Sequence, residues 1–407
     1  MPIKARIIQE SPVLLWGLSS HKRLERMLNK AGVETTQDDA NSINEGDTIL
    51  LLRGDFLYDQ RIIVSMIDDI GIILEASTPQ GPRPVAAHVT GDQAESIEGF
   101  LCDEAPDGCP ADLRRETAES LVPVYQKKLR KIDPPYLLPI SEEKRRPLEK
   151  RLFAGSYKGV TDLVTKWLWP VPAQWVTGIC ARNGITPNLV TSLSLVLSVL
   201  ALYQFHQGAY AWGLLSAWLM TFLDTVDGKL ARVTINYSPF GNIFDHGIDL
   251  IFPPLWYIAW GMSLQAEHTQ IAGLSMSWIL WLTVVGYIVG RLCEGIFKRS
   301  LESSGIFCWQ TIDSCFRLIT GRRNPNLVLF TLFICFGRPD LGLFAVCMWT
   351  VLSSMFLVHR LVSGFQYRSQ SGPLRSWFLD ADPSSDQLST YQRWFCQKPD
   401  VDTGEDN

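Results

Sequence analysis

Apolar and polar positions alternate in short blocks over roughly the first 140 residues. KARIIQ reads as a strand. Ser19 or Ser20 can cap a helix running through Arg23, Leu24, Met27 and Leu28 to Gly32. DTILLLRGD holds the continuous apolar run expected of a strand buried on both faces. A helix around Ile62 to Met66, strands at GIILEA and PVAAHV, and helices at Ala94 to Leu101 and Leu113 to Leu121 follow. Strands alternating with helices predict an α/β domain over 1–140 with a mostly parallel, Rossmann-type sheet.

The pattern changes after Ser141. Residues 141–184 open on the charge run EEKRRPLEKR and continue into Val160, Leu163, Val164, Trp167 and Leu168, the spacing of an amphipathic helix. Pro170 is expected to end that helix. Lys beside the stripe, with Trp169 and Trp175, suits a segment lying in a membrane interface; packing on the soluble domain is the other reading. Six apolar stretches follow within 185–365, at about 187–206, 210–232, 240–264, 271–293, 324–338 and 341–363. They predict an all-α, six-helix transmembrane domain. HQGAY and QAEHTQ carry no Lys or Arg, and GRPDLG carries only Arg338. The opposite loops hold Lys229, Arg232, Lys298, Arg299, Arg317, Arg322, Arg323, Arg368 and Arg375. Loop charge therefore puts both termini in the cytoplasm, with the membrane an inner or plasma membrane. The tail 366–407, with PSSD and DTGEDN, reads as cytoplasmic and partly disordered.

Composition agrees with this division. Thirteen of the fourteen tryptophans lie after residue 160. The net charge of −5 leaves no basic footprint for nucleic acid. Nine cysteines with no C-x-x-C pair suggest buried fillers in a reducing compartment rather than zinc ligands.

The chemistry concentrates in FLDTVDGKLARVTINYSPFGNIFDHGID. On a helix Asp224, Asp227, Gly228 and Ala231 share one face, and Asp245 and Asp249 share a face on the next helix. Four carboxylates thus converge at one membrane surface. Two carboxylates about 4 Å apart repel by about 4 kcal/mol at an effective dielectric near 20, so the group must share protons or cations. Hard oxygen ligands select magnesium, manganese or calcium, and two such ions could clamp a pyrophosphate. Gly228, Ala231 and Gly241 are small enough for a nucleotide to approach the backbone. Arg322, Arg323 and Asn324 open the fifth stretch at the same level, as membrane anchors or as binders of an acceptor phosphate.

The run D-x2-D-G-x2-A-R-x8-G-x3-D-x3-D, from Asp224 to Asp249, resembles the CDP-alcohol phosphotransferase family at all eight fixed positions. The resemblance covers about 185–365, including ITPNLVT before the first stretch. It implies a dimeric, six-helix membrane enzyme using Mg2+ or Mn2+, which cleaves a CDP-alcohol, releases CMP and passes the phospho-substituent to an alcohol. It makes Asp224, Asp227 and Asp245 metal ligands, Asp249 the base and a further metal contact, and Gly228, Ala231, Arg232 and Gly241 the CDP site. ILLLRGDFLYDQRI resembles nucleotidyltransferases, with Asp55 after its strand as a metal-holding residue or simply a polar strand end. SPVLLWGLSSHKRLERM stands where their Gly-rich phosphate loop would be and has one glycine, so the domain reads as degenerate in chemistry. Bifunctional inositol-phosphate cytidylyltransferase/di-inositol-phosphate-phosphate synthases share this domain order, which implies an inositol-phosphate-like acceptor. Phosphatidyl transfer from CDP-diacylglycerol to a small alcohol is the alternative. A divalent-cation transporter and a nucleotide-binding receptor are the readings from other classes.

Overall fold

The computed structural model describes residues 3–36, 47–78, 80–102, 113–264, 269–302, 304–381 and 388–396, without the side chains of Pro239, Phe240, Asn242 and Asp245. The N-terminal region runs β1 (Ile3–Ile8), α1 (Ser20–Ala31), β2 (Glu34–Thr35), β3 (Thr48–Arg53), β4 (Phe56–Tyr58), α2 (Gln60–Ile67), β5 (Ile72–Thr78), β6 (Gly81–Thr90), α3 (Ala94–Leu101), β7 (Arg114–Glu116) and α4 (Ala118–Leu121). Ser19 caps α1 by accepting from the Lys22 amide, and Gly32 ends it in the left-handed conformation.

The sheet order is β2-β1-β3-β6-β5-β7. Five of its strands run in one direction, as expected of a mostly parallel sheet, and the sheet is mixed only through β6, which runs antiparallel to both β3 and β5. The reason is local. Thr78 pairs directly with Gly81, so β5 and β6 form a tight hairpin, and a hairpin can only be antiparallel. β3 is buried along its whole length, as its apolar run predicts. Leu50 and Leu52 enter one core with Leu28 and Ile62, while Ile49 and Leu51 enter the other with Ile97 and Leu101. The expected helix over Leu113 to Leu121 is instead β7 plus one helical turn. Residues Arg114–Glu116 add to the open edge of β5, and the Thr117–Ser120 capping box starts the helix only at Ala118.

A small hairpin of β8 (Tyr125–Gln126) and β9 (Lys131–Ile132) and the strand β10 (Leu137–Pro139), paired with β4, lead into α5 (Arg145–Gly155). Val164–Leu168 is a five-residue π-helical turn, and Pro170 begins the helix α6 (Pro170–Arg182) rather than ending one. Proline at a first helical position has no amide to leave unpaired. Val160 and Val164 are buried, whereas Trp167, Leu168, Val171, Trp175 and Ile179 form the exposed apolar face. The stripe thus lies mostly on α6, further along than the sequence spacing places it.

The helical region contains α7 (Pro187–His206), α8 (Tyr210–Val233), α9 (Pro239–Leu264), α10 (Met276–Ser300), α11 (Thr311–Ile319), α12 (Arg323–Cys335) and α13 (Pro339–Ser371). α10 starts and ends later than the expected 271–293. Residues Gln270–Ile271 pair with Leu274–Ser275 before it, and Ser275 caps it. Among the described residues α7, α10 and α13 are long and apolar enough to cross a membrane by length and composition. α7 packs on α8 and α9, and α10 on α13. Phe205, Trp256, Trp260 and Phe330 fill the bundle, with Trp260 stacked on Phe330 at 3.9 Å. Leu193, Val196, Trp212, Trp281, Leu352 and Met355 face outward, an apolar band that suits lipid.

PSSD and DTGEDN, which carry the expectation of a partly disordered tail, lie outside the described residues, and the described part of the tail is packed. α13 continues to Ser371, and Leu374, Phe378, Phe395 and Cys396 are buried against Phe297, Cys308 and Trp309; residues 382–387 and 397–407 lie outside the described residues. Cys180, Cys293, Cys308 and Cys347 are likewise buried and unpaired, as fillers should be; Cys102 and Cys315 are half-buried and Cys335 at the end of α12 is exposed, against that expectation, and Cys109 lies outside the described residues.

The stretch that would have been a phosphate loop is an anchor. Leu15 and Leu18 close a turn through Trp16 (φ 52°) and Gly17 (φ 72°). The Trp16 amide donates to Glu149 Oε1 (2.9 Å), its indole donates to the Glu149 carbonyl (3.0 Å), and its ring stacks on Phe153. A Cβ on Gly17 would stand 2.8 Å from the Ala181 carbonyl oxygen of α6. Gly17→Ala combines that clash with a left-handed conformation costing about 1–2 kcal/mol. We expect a lower thermal midpoint for the full chain; an unchanged midpoint would show that the turn does not dock this tightly. Asp55 is also engaged, both carboxylate oxygens accepting from Arg53 at 3.0 and 2.7 Å.

Candidate active site

The last turns of α8 carry Asp224, Asp227, Gly228, Ala231 and Arg232, and α9 carries Gly241, Asp245 and Asp249. The two helices are brought together by an arginine at the start of a third. Arg323 on α12 donates from Nη2 to Asp224 Oδ2 (2.7 Å) and from Nη1 to Asp249 Oδ1, and its guanidinium is 12% exposed. One planar fork thus neutralises carboxylates from both helices. Asp227 is 4% exposed and accepts from the Thr191 hydroxyl of α7 at 2.6 Å. Asp245 lies one turn before Asp249 on α9; its side chain is outside the described residues. Among the described residues no three His, Cys, Asp or Glu groups stand close enough to hold a metal.

The small residues have distinct tasks. A Cβ at Gly228 would meet Arg232 Nη2 at 3.1 Å, so the arginine lies across the glycine. Arg232 Nε donates to the Ser156 carbonyl (2.8 Å). The buried Lys229 donates to the same carbonyl (3.4 Å) and stands 3.2 Å from the Tyr157 ring centroid. The segment after α5 therefore packs on the motif helix, a contact with no signal in the motif spacing. A Cβ at Gly241 would stand 2.8 Å from Asn188 Oδ1, so this glycine permits close approach of α9 to the first turn of α7. Ala231 is half-buried, and its carbonyl accepts from the Asn236 amide in the turn between the helices.

Arg322, Arg323 and Asn324 diverge. Arg322 pairs with Glu294 of α10, Arg323 takes the aspartates, and Asn324 Nδ2 donates to Asp162 Oδ1 (3.0 Å) and Thr165 Oγ1 (3.2 Å). Burial pushes the Asp162 carboxyl up, but the Arg317 charge and the bonds from Thr165 and Asn324 outweigh it and hold it below the usual carboxylate range. Asn324 thus ties α12 to the juxtamembrane segment. Glu294, Asp162 and Thr191 were not legible as site residues, because their roles depend on neighbours 28 to 162 positions away.

Residues 184–304 match the sequence model of the CDP-alcohol phosphatidyltransferase family. Cholinephosphotransferase 1 of Homo sapiens is 28% identical over 157 residues, 37% of each chain. Its Gallus gallus counterpart is 32% identical over 29% of this chain and 37% of its own. Archaetidylinositol phosphate synthase of Pyrococcus horikoshii is 38% identical over 79 residues, 19% of this chain and 42% of its own. The similarity thus spans about two fifths of the length of these relatives.

Proposed function

Because its residues 184–304 place this membrane protein in the CDP-alcohol phosphotransferase family, we propose that it cleaves a CDP-alcohol, releases CMP and transfers the phospho-substituent to an acceptor alcohol. The observation that carries the reading is the fork of Arg323, which draws Asp224 and Asp249 from two helices to one point. The proposed arrangement has six spans, both termini in the cytoplasm, and two copies per assembly.

The donor set fits a hard divalent cation: carboxylate oxygens, with a hydroxyl already orienting Asp227. Asp224, Asp227, Asp245 and Asp249 would hold Mg2+ or Mn2+, as two ions. When bound, the ions supply charge stabilisation for the pyrophosphate. Gly228, Ala231, Arg232 and Gly241 line the CDP site, with Arg232 already extended over Gly228. Asp249 takes the proton of the acceptor hydroxyl. The acceptor oxygen then bonds to the phosphorus that carries the alcohol, the P–O bond to the CMP phosphate breaks, and CMP leaves with that electron pair. Arg323 holds Asp249 through Oδ1 while it does so.

For the acceptor, a phosphorylated polyol of the inositol-phosphate kind is the reading we adopt, because Arg322 and Arg323 stand beside the aspartates. Phosphatidyl transfer from CDP-diacylglycerol is the second reading. Among the relatives, one is named for archaetidylinositol phosphate synthesis, which supports the first reading, and one for choline phosphotransfer. The N-terminal domain serves as a docking body rather than a cytidylyltransferase, since its would-be phosphate loop is packed on α5 and α6.

The test is CMP release by the purified full chain against a panel of CDP-alcohols and acceptors. We expect CMP release that is abolished by EDTA and restored by Mg2+ or Mn2+. Divalent-ion flux into proteoliposomes without any CMP release would favour the transporter instead.

A further inference from the structure

The β8–β9 hairpin of the N-terminal region turns at Arg130, a non-glycine residue at φ 53°. That conformation is unfavourable for a side chain with a Cβ, and persists where the surroundings impose it. The surroundings are specific. The Gly159 amide donates to the Leu129 carbonyl (2.9 Å), and Gly159 packs so tightly that a Cβ there would stand 2.4 Å from the Arg130 carbonyl oxygen. Lys131 Nζ donates to the Gly155 carbonyl (2.8 Å), and the Tyr125 hydroxyl donates to Ser304 Oγ (3.1 Å).

So held, the Arg130 guanidinium reaches the turn that follows α10. Its Nη2 would lie 3.4 Å from a Cβ on Gly305, and it makes no hydrogen bond or ion pair among the described residues. Two further arginines flank the same turn. The guanidinium carbons of Arg317 and Arg322 stand 5.6 and 5.3 Å from the Phe307 ring centroid. Arg317 Nη1 is buried and has no hydrogen-bond partner among the described residues. Burial, opposed by Asp162 and reinforced by the like charges of Arg130, Arg291 and Arg323, pulls Arg317 down to about 10. Arg322 feels Arg291 and Arg130 in the same way. The nearby carboxylates are Glu294, shared by Arg291 and Arg322; Asp162, facing Arg317; Asp249, held by Arg323 and felt by Arg322; and Glu302, beside Lys127. Each of these carboxylates already has a cationic partner, whereas the Arg130 guanidinium and Arg317 Nη1 have no hydrogen bond among the described residues. An arginine stays protonated at neutral pH, so these donors suit an anion.

We propose that Arg130, Arg317 and Arg322 form a binding site for a phosphate monoester, and that Arg130 makes the N-terminal domain part of it. Guanidinium forks on separate elements suit a tetrahedral dianion with several oxygens. The site adjoins Arg323 and the aspartates, and resting on the transfer reading above, its phosphate belongs to the acceptor. The N-terminal domain then selects phosphorylated over unphosphorylated acceptors without any nucleotidyl chemistry of its own.

The experiment uses the full chain in phosphatidylcholine nanodiscs and measures inorganic phosphate binding by calorimetry, with a second arm in nanodiscs containing phosphatidic acid. Arg130→Gly relieves the left-handed backbone, so a purely structural role predicts unchanged phosphate affinity. We expect about a tenfold or greater loss of affinity, as for removal of a charge-assisted contact, with a thermal midpoint no lower than wild type. Arg130→Lys should recover part of the binding, and Lys128→Ala on the same hairpin should retain it. Saturation only in the phosphatidic acid arm, again lost in Arg130→Gly, would assign the monoester to a lipid headgroup. Wild-type affinity in Arg130→Gly, an equal loss in Lys128→Ala, or no response of the wild type in either arm would overturn the proposal. Absence of CMP release with the phosphate pattern intact would remove the transfer reading and leave the anion site standing.

Discussion

Asp224→Asn is expected to lower CMP release by about 10²–10³-fold, the usual consequence of removing one preorganised charge-stabilising group. The substitution keeps the shape of the side chain and removes its charge. It also leaves the Arg323 fork with a carboxylate on one side only, inside a site where Arg323 and Asp224 are 12% and 16% exposed. Losing one partner of such a pair is more damaging than exchanging both, because the remaining charge stays desolvated. The thermal midpoint separates the two effects: a fall in CMP release with an unchanged midpoint locates the loss in chemistry. Asp227→Asn should behave similarly, since an amide can keep a bond to the Thr191 hydroxyl but cannot supply the charge. Retention of near-wild-type CMP release in either variant would withdraw that residue from the site.

Arg323→Gln should be comparably severe, with a loss of about 10²-fold or more. Glutamine is neutral and cannot reach both Asp224 and Asp249 with charged donors, so the two carboxylates lose the link that joins α8 to α9 through α12. Arg323→Lys restores the charge but not the fork, because an ammonium is a compact point donor. We therefore expect Lys to recover about tenfold of the loss, one unit of log rate being about 1.4 kcal/mol. Equal activity of the Gln variant and the wild type would reduce Arg323 to a positive anchor at the membrane surface.

These expectations connect to the packing of the rest of the chain. The Asp162–Asn324 bond fixes the residue next to Arg323, and the Ser156 carbonyl holds Arg232 and Lys229 on the motif helix. Both contacts come from the segment before residue 184, outside the region that matches the family. The N-terminal domain reaches the same neighbourhood through the Trp16 turn and the β8–β9 hairpin.

Much of this protein follows from local sequence. The cap at Ser19, the buried strand at Thr48–Arg53 and the helix at Ala94–Leu101 each depend on residues within a few positions. The bundle helices Pro187–His206 and Tyr210–Val233 begin at the expected residues and end within one of the expected positions, because an apolar stretch of that length has few alternatives to a helix. Helical periodicity alone puts Asp224, Asp227, Gly228 and Ala231 on one face and Asp245 and Asp249 on another, whereas Arg232 and Gly241 enter the motif through the family resemblance. The tertiary structure decided everything that depends on distant partners. The direction of β6 was set by its hairpin with β5, the strand at Arg114–Glu116 by an open sheet edge, and the packing of Leu374, Phe378 and Phe395 by the apolar cluster around Trp309. Arg322, Arg323 and Asn324 are consecutive in sequence, yet they turn to Glu294, to two motif aspartates and to Asp162. Successive helical residues point about 100° apart, so which of three neighbours meets each one is settled only when α12 packs among them.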